Sequence, residues 1–397
     1  MRILQISSAK NFGGGEKHLL NLTDGLRKSG HTVFVALRPQ NSWGDKFNNL
    51  PAAERFAVPL RNAVDLQSAW RLARIIRENK IEIIHAHVAR DYPLAVLAQM
   101  LSGKATRVIL TRHVLFSLKF LHKICLRSVS AVIAVSKPVK EQLLAQNIFA
   151  AEKIKLISNA IETEPDVNFA RDQKRGEFRC QHKLKTDDLM ISTVGELKPL
   201  KGQEDFVRAA AIIARRFPNA VFAVVGKDHS KRGKYLEKLQ LLVAANNLSD
   251  KILWIESLAD SSSLLAATDV YLSASQNESF GLAILEAMIA GCAVVATKTA
   301  GAMELLQPEA TGKLVPLKDF TALANAAEEF LASEKLRQQI GAAAQTSAQT
   351  RFSLDSMIAA TVRVYQESLA TETVTDGAFV TNPEPPVLPN LNQPVSS

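Results

Sequence analysis

The stretch SASQNESFGLAILEAMIAGCAVVATKTAG, residues 273–301, decides the fold. A strand ends near Ser275, a polar turn carries Glu278, and an apolar helix runs over 282–290 to Gly291 before a second, valine-rich strand at 293–297. Strand, helix and strand in that order form the repeating unit of a parallel sheet. Because the helix starts at Leu282, the backbone N–H groups of Phe280, Gly281 and Leu282 are expected to point out of its amino terminus, where the helix dipole favours a phosphate. Gly281 would let that ligand approach the backbone with no side chain in the way.

Working outward, the same alternation fills most of the chain. Strands are expected over 2–6, 31–37, 81–85, 107–111, 131–135 and 155–157, with helices over 16–28, 66–78, 92–101 and 138–146 between them. A second series follows, with strands over 189–194, 220–225, 252–255, 270–273, 293–297 and 313–315, and helices over 204–216, 235–245, 264–267, 282–290 and 323–332. At 397 residues the chain exceeds what one hydrophobic core serves, so two domains are expected. The fold class is α/β, with two Rossmann-like doubly wound domains, 1–165 and 189–352, facing across a cleft at the carboxyl ends of their strands. The polar, charged run between them makes 166–188 the expected linker. Residues 373–397 are rich in proline and lack periodicity, which predicts a disordered tail.

Composition narrows the function classes. Hydrophobic residues make up 47% and charged residues 22%, values of an ordinary globular protein. The opening MRILQIS lacks the apolar stretch of a signal peptide, and no window is apolar enough to span a bilayer, so a cytoplasmic location is expected. Cys125, Cys180 and Cys292 show neither disulfide nor zinc-ligand spacing. A net charge of +9 favours anionic partners: nucleotide phosphates, acidic headgroups or nucleic acid. With no Cys/His finger and only 6% aromatics, nucleic acid is not the expected one. The segment LFSLKFLHKICLR, 115–127, interleaves cations with large apolar residues; it suits an anionic membrane surface, or packing as an amphipathic helix on its own domain.

Glu278 lies in the loop before the helix and Glu286 within it. Carboxylates beside a diphosphate suit hydrogen bonds from hydroxyl groups at the two ends of a ligand, a sugar hydroxyl at Glu278 and a ribose hydroxyl at Glu286; the alternatives are a solvated loop residue and a helix-surface residue. The segment resembles the E-x7-E motif of the large retaining glycosyltransferase family four, whose members have the GT-B fold, and the match continues through Gly291, Gly301, Glu304, Thr311 and Gly312. Other features agree. Gly13-Gly14-Gly15-Glu16 resembles the family's GG-x-E element, which implies that Gly14 and Gly15 approach the donor diphosphate and that Glu16 lies on the acceptor side or caps its helix. The loop 195–202, GELKPLKG, resembles G-R-L-x-x-x-K-G. Lys201 matches the lysine that neutralises the departing diphosphate, whereas Glu196 stands where the family has arginine, reversing the sign of that contact. Lys198 could supply the missing charge, or be a solvated loop cation. His113 occupies the position of a family histidine that contacts the donor sugar. His85 and His87 alternate on one strand face and are expected to pack or to hydrogen-bond behind the site.

The resemblance implies a retaining, hexosyl-type transferase using a nucleotide-diphosphate sugar, a glycan or lipid-linked acceptor, and a place in cell-envelope polysaccharide or lipopolysaccharide biosynthesis, on the inner face of the membrane where the acceptor is lipid-linked. It also implies that the final helix, 353–370, crosses back to the first domain. The sequence has no carboxylate pair arranged as in a hydrolase and no D-x-D element, so no metal and no cofactor beyond the donor are expected; cations and helix-end N–H groups would stabilise the leaving phosphate. Two rival readings remain on this architecture: a nucleotide-sugar epimerase, and a catalytically silent sugar-nucleotide-binding protein, the latter motivated by Glu196.

Overall fold

The computed structural model describes residues 1–119, 122–162, 167–258 and 260–370, leaving aside the side chains of 167–170. The expected tail, 373–397, lies outside the described residues. The first domain carries strands β1 (Arg2–Ser7), β2 (Thr32–Leu37), β3 (Arg55–Ala57), β4 (Ile83–Ala86), β5 (Arg107–Arg112), β6 (Ala131–Ala134) and β7 (Ile154–Leu156). Its helices are α1 (Gly14–Lys28), α2 (Leu66–Glu78), α3 (Tyr92–Ser102), α4 (His122–Cys125) and α5 (Lys137–Gln146). After α6 (Val167–Gln181) come β8 (Leu189–Val194), β9 (Ala220–Val225), β10 (Ile252–Ile255), β11 (Val270–Ser273), β12 (Ala293–Thr297) and β13 (Lys313–Val315). Helices α7 (Gln203–Arg216), α8 (Lys234–Ala245), α9 (Ser262–Ala267), α10 (Leu282–Ile289), α11 (Ala300–Leu305) and α12 (Phe320–Ala332) connect them, and α13 (Glu334–Arg351) and α14 (Leu354–Ala370) follow.

Among the described residues every strand pairing is parallel, in two sheets ordered β3-β2-β1-β4-β5-β6-β7 and β10-β9-β8-β11-β12-β13. In each sheet the strand order turns outward from the first strand, which opens a crevice at the carboxyl ends of β1 and β4 in one and of β8 and β11 in the other. Both faces are covered, so the central strands are buried along their length rather than alternating, with polar residues such as Gln5, His85 and Thr111 buried among the apolar ones. One face of the first sheet presents Ile3, Ile83, Ile109 and Ile133 to Leu22 and Leu26 of α1 and to Met357, Ile358, Val364 and Tyr365 of α14. The final helix therefore packs on the first domain. Its path passes beside the chain's earlier crossing, because Ile161 and Ser353 form an isolated parallel bridge.

Helices α11 and α13 lie where the sequence reading placed no element, and two further elements depart from it. The run assigned to a linker contains α6, which packs against α9 through buried Phe178 and through Arg175, whose guanidinium donates to the carbonyls of Ala266 and Ala267 and meets Asp269 at 3.1 Å. Gly176 and a high density of charge hide its amphipathic period. Strand β3 is a short edge strand whose exposed Arg55 and Ala57 flank half-buried Phe56, too brief for a periodic signal.

Candidate active site

The turn before α10 supplies the first part of the site. Gly281 caps the helix at φ +96°, the left-handed region that favours glycine. The side chain of Phe280 is turned inward, 2% exposed and packed edge-on against Phe352 at 5.5 Å, so only its backbone is available to a ligand. Glu278 precedes the turn, and its Oε1 accepts from Ser275 Oγ at 2.9 Å and from Lys201 Nζ at 2.5 Å. Lys201 reaches that position because Gly202, at φ +69°, brings the start of α7 against the end of β11: a methyl there would lie 1.9 Å from the Ala274 carbonyl oxygen. Leu200 accepts from the Gln276 N–H at 2.9 Å and fixes the same approach.

The first domain closes the other side. A methyl added at Gly14 would stand 3.2 Å from Leu282 Cδ1, and one at Gly15 would stand 3.6 Å from His113 Cδ2, so the glycine loop touches both α10 and the end of β5. Ser279 Oγ donates to the His113 carbonyl, and the Lys137 N–H at the start of α5 donates to Glu304 Oε2 at 2.8 Å. Burial raises the Glu304 carboxyl above its ordinary range, while that N–H and the Lys137 charge oppose the rise. Glu286 accepts from Ser261 at 2.7 Å and from Lys17 Nζ at 2.6 Å, an ion pair that bridges the two domains.

The remaining expected residues are also paired. Glu16 accepts from the Gly13 N–H at 2.9 Å and closes a capping box; burial raises its pKa, the backbone N–H groups of Glu16 and Gly13 lower it, and Glu196 raises it further. Lys198 pairs with Glu196 at 2.6 Å, so the cation at that corner is already matched by an anion.

Behind the site stands a row of histidines. Pairing of β1 with β4 sets Gln5 opposite His85. His87 Nε2 meets Gln5 Oε1 at 2.7 Å, and its Nδ1 lies 3.4 Å from His113 Nε2. His85 joins Tyr365 of α14, at 2.6 Å, to Thr111, at 2.7 Å. Burial pushes the pKa of His85, His87 and His113 well below the ordinary value, and neighbouring histidine charges push the same way. His18 falls to about 4 by burial, partly opposed by Asn159.

Glu278, Lys201, His113, Gly14, Gly15, Leu282 and Glu286 thus converge on one interdomain cleft, while Glu16, Lys198 and the Phe280 side chain are engaged locally. Lys17, Ser261 and Ser279 were not foreseen. Lys17 had a signal: a lysine in the first turn of a helix opposes the dipole and calls for a carboxylate partner.

Residues 12–165 match the family described as Glycosyltransferase Family 4, and residues 174–347 match Glycosyl transferases group 1. The chain is 26% identical over 317 residues to the N-acetyl-alpha-D-glucosaminyl L-malate synthase of Bacillus anthracis, covering 77% of this chain and 80% of that protein. It is 23% identical to the capsular polysaccharide biosynthesis glycosyltransferase CapM of Staphylococcus aureus, over 83% and 88% of the two chains. Among solved structures, Anabaena Alr3699/HepE in complex with UDP and glucose superposes with a TM-score of 0.79 at 21% identity, covering 92% of this chain and all of that one. At that identity the likeness is one of fold: two parallel-sheet domains of the GT-B type.

Proposed function

Because the chain belongs to glycosyltransferase family 4, we propose that it moves a hexose-type sugar from a nucleoside-diphosphate donor to a glycan or lipid-linked acceptor, with retention and without a metal. The observation that carries this reading is the Lys201–Glu278 pair beside the amino terminus of α10, facing Gly14, Gly15 and His113 across the cleft. A diphosphate entering there would take Lys201 and the free N–H groups of the helix start, and it would release Glu278 to accept from a sugar hydroxyl. Glu286 would accept from a ribose hydroxyl in exchange for Lys17. His113 Nδ1 has no partner at hydrogen-bond geometry and would meet a hydroxyl of the sugar.

The bond from the anomeric carbon to the leaving phosphate breaks through an oxocarbenium-like transition state. The acceptor attacks on the same face, and its proton passes to the leaving phosphate oxygen. Relatives named for the capsule, and for UDP-Gal:alpha-D-GlcNAc-diphosphoundecaprenol alpha-1,3-galactosyltransferase in Escherichia coli, support a role in cell-envelope glycan assembly. No helix among the described residues is long and apolar enough to cross a membrane.

The test is a thermal-shift screen of sugar nucleotides followed by NMR of the product's anomeric configuration. An inverted product, or no stabilising donor, would sink the reading. The neutralised Lys198–Glu196 corner favours a second reading, a silent sugar-nucleotide-binding protein. Hydrolysis of the bound donor in the absence of acceptor would exclude it.

A further inference from the structure

We propose that His18, His87 and His113 form a binding site for a single late first-row divalent metal ion of the zinc class, at the floor of the cleft. The three side chains arise from α1 and from the carboxyl ends of β4 and β5, and each offers a ring nitrogen, all within 4.8 Å of one another. His87 Nδ1 and His113 Nε2 stand 3.4 Å apart. That is the spacing of two ligands on a tetrahedral ion with metal–nitrogen bonds of about 2.0–2.1 Å, whose edge is about 3.4 Å. His18 completes the group with a ring nitrogen no more than 4.8 Å from the other two.

A second observation is independent of that spacing. His18 is only 3% exposed, and neither of its ring nitrogens has a partner at full hydrogen-bond geometry, although the Asn159 side chain acts on the ring. Buried imidazoles are ordinarily paired, and a ligated ion would satisfy this one. The surroundings also fit. His87 Nε2 lies against the Gln5 amide oxygen at 2.7 Å, which holds the proton on Nε2 and leaves Nδ1 as a lone pair facing the cluster. Metal-ligating histidines usually have such an outer partner.

Three imidazoles without a carboxylate select zinc, copper, nickel or cobalt over magnesium and calcium, which require oxygen ligands. His113 is the half-buried member of the three, on the cleft side.

The probe is Co²⁺ alone, titrated without donor or acceptor into untagged, chelator-stripped full-length protein, so its outcome is separate from that of the proposed transfer reaction. The expected result is a visible ligand-field absorption of tetrahedral type, saturating at one ion per chain and abolished by one equivalent of Zn²⁺. His18→Ala should remove the saturation, and Gln5→Leu, which keeps all three ligands, should weaken binding by about 10–100-fold. Circular dichroism and melting identify any variant that fails to fold, in which case Gln5→Leu decides. Absence of the absorption in the wild-type protein, or saturation unchanged in the folded variants, would overturn the site.

Discussion

Cutting the chain after residue 352 removes α14, and the structure sets the size of the effect. Met357, Ile358, Val364 and Tyr365 are each less than a tenth exposed and pack on the first sheet, with Ile358 lying over Gly25 of α1. Burying one such side chain contributes about 1.5–3 kcal/mol, so the four together contribute about 6–12 kcal/mol. Tyr365 adds a buried hydrogen bond to His85, whose loss leaves that ring nitrogen unpaired. A typical domain is stable by only about 5–15 kcal/mol, so the first domain would lose most of its margin. Cutting after 372 removes none of these contacts. The two truncations should be compared with full length for soluble yield, melting temperature and donor turnover. The shorter chain should express as insoluble protein or melt more than about 12 °C lower, whereas the longer one should match full length. Equal values for the shorter chain in all three assays would refute both the packing argument and the boundary at 352.

Three further outcomes are expected. Glu278→Gln and Lys201→Met should each lose transfer activity by about 10²–10³ in kcat with melting nearly unchanged, since both act on the donor; wild-type turnover by a folded variant would remove that residue from the mechanism. Transfer should survive EDTA, because the groups assigned to the diphosphate belong to the protein; activity lost in EDTA and restored by magnesium or manganese would call for a catalytic metal. In chelator-treated protein, stability should fall as the pH drops from about 6.5 towards 4. The unfolded chain protonates its histidines near 6.5, whereas burial holds folded His18 neutral down to about 4, so the stability present above the unfolded value is lost on acidification. For His18 alone the change is about 3 kcal/mol, and melting temperatures flat between pH 7 and 5 would contradict it.

Much of the fold was legible because parallel strands buried on both faces read as largely apolar runs, and β1, β4, β5, β8 and β12 are of that kind, with polar residues such as Gln5 and His85 interspersed. Where packing rather than pattern decides, the sequence was mute. Helix α6 is held by an arginine fork and one phenylalanine, and α11 is a short segment started by the Thr299 side chain. In the site, Glu278, Glu286 and the glycines stood out because each lies within a few residues of a helix start. Lys17–Glu286 and the histidine row join residues far apart in the chain, and no local period announces such pairs.

The bridge between Ile161 and Ser353 has a mechanical consequence. The polypeptide passes between the domains twice, and the two passages lie side by side, so the halves share a single pivot. Any relative motion about it would be that of a pair of jaws, with displacement growing with distance from the fulcrum and largest at the rim. Contacts such as Lys17–Glu286 then act as a clasp that must yield before the jaws part. Spin labels placed across the rim should report a distance that changes with donor, while labels flanking residues 161 and 353 should keep theirs; a shift at the fulcrum equal to that at the rim would rule out the pivot.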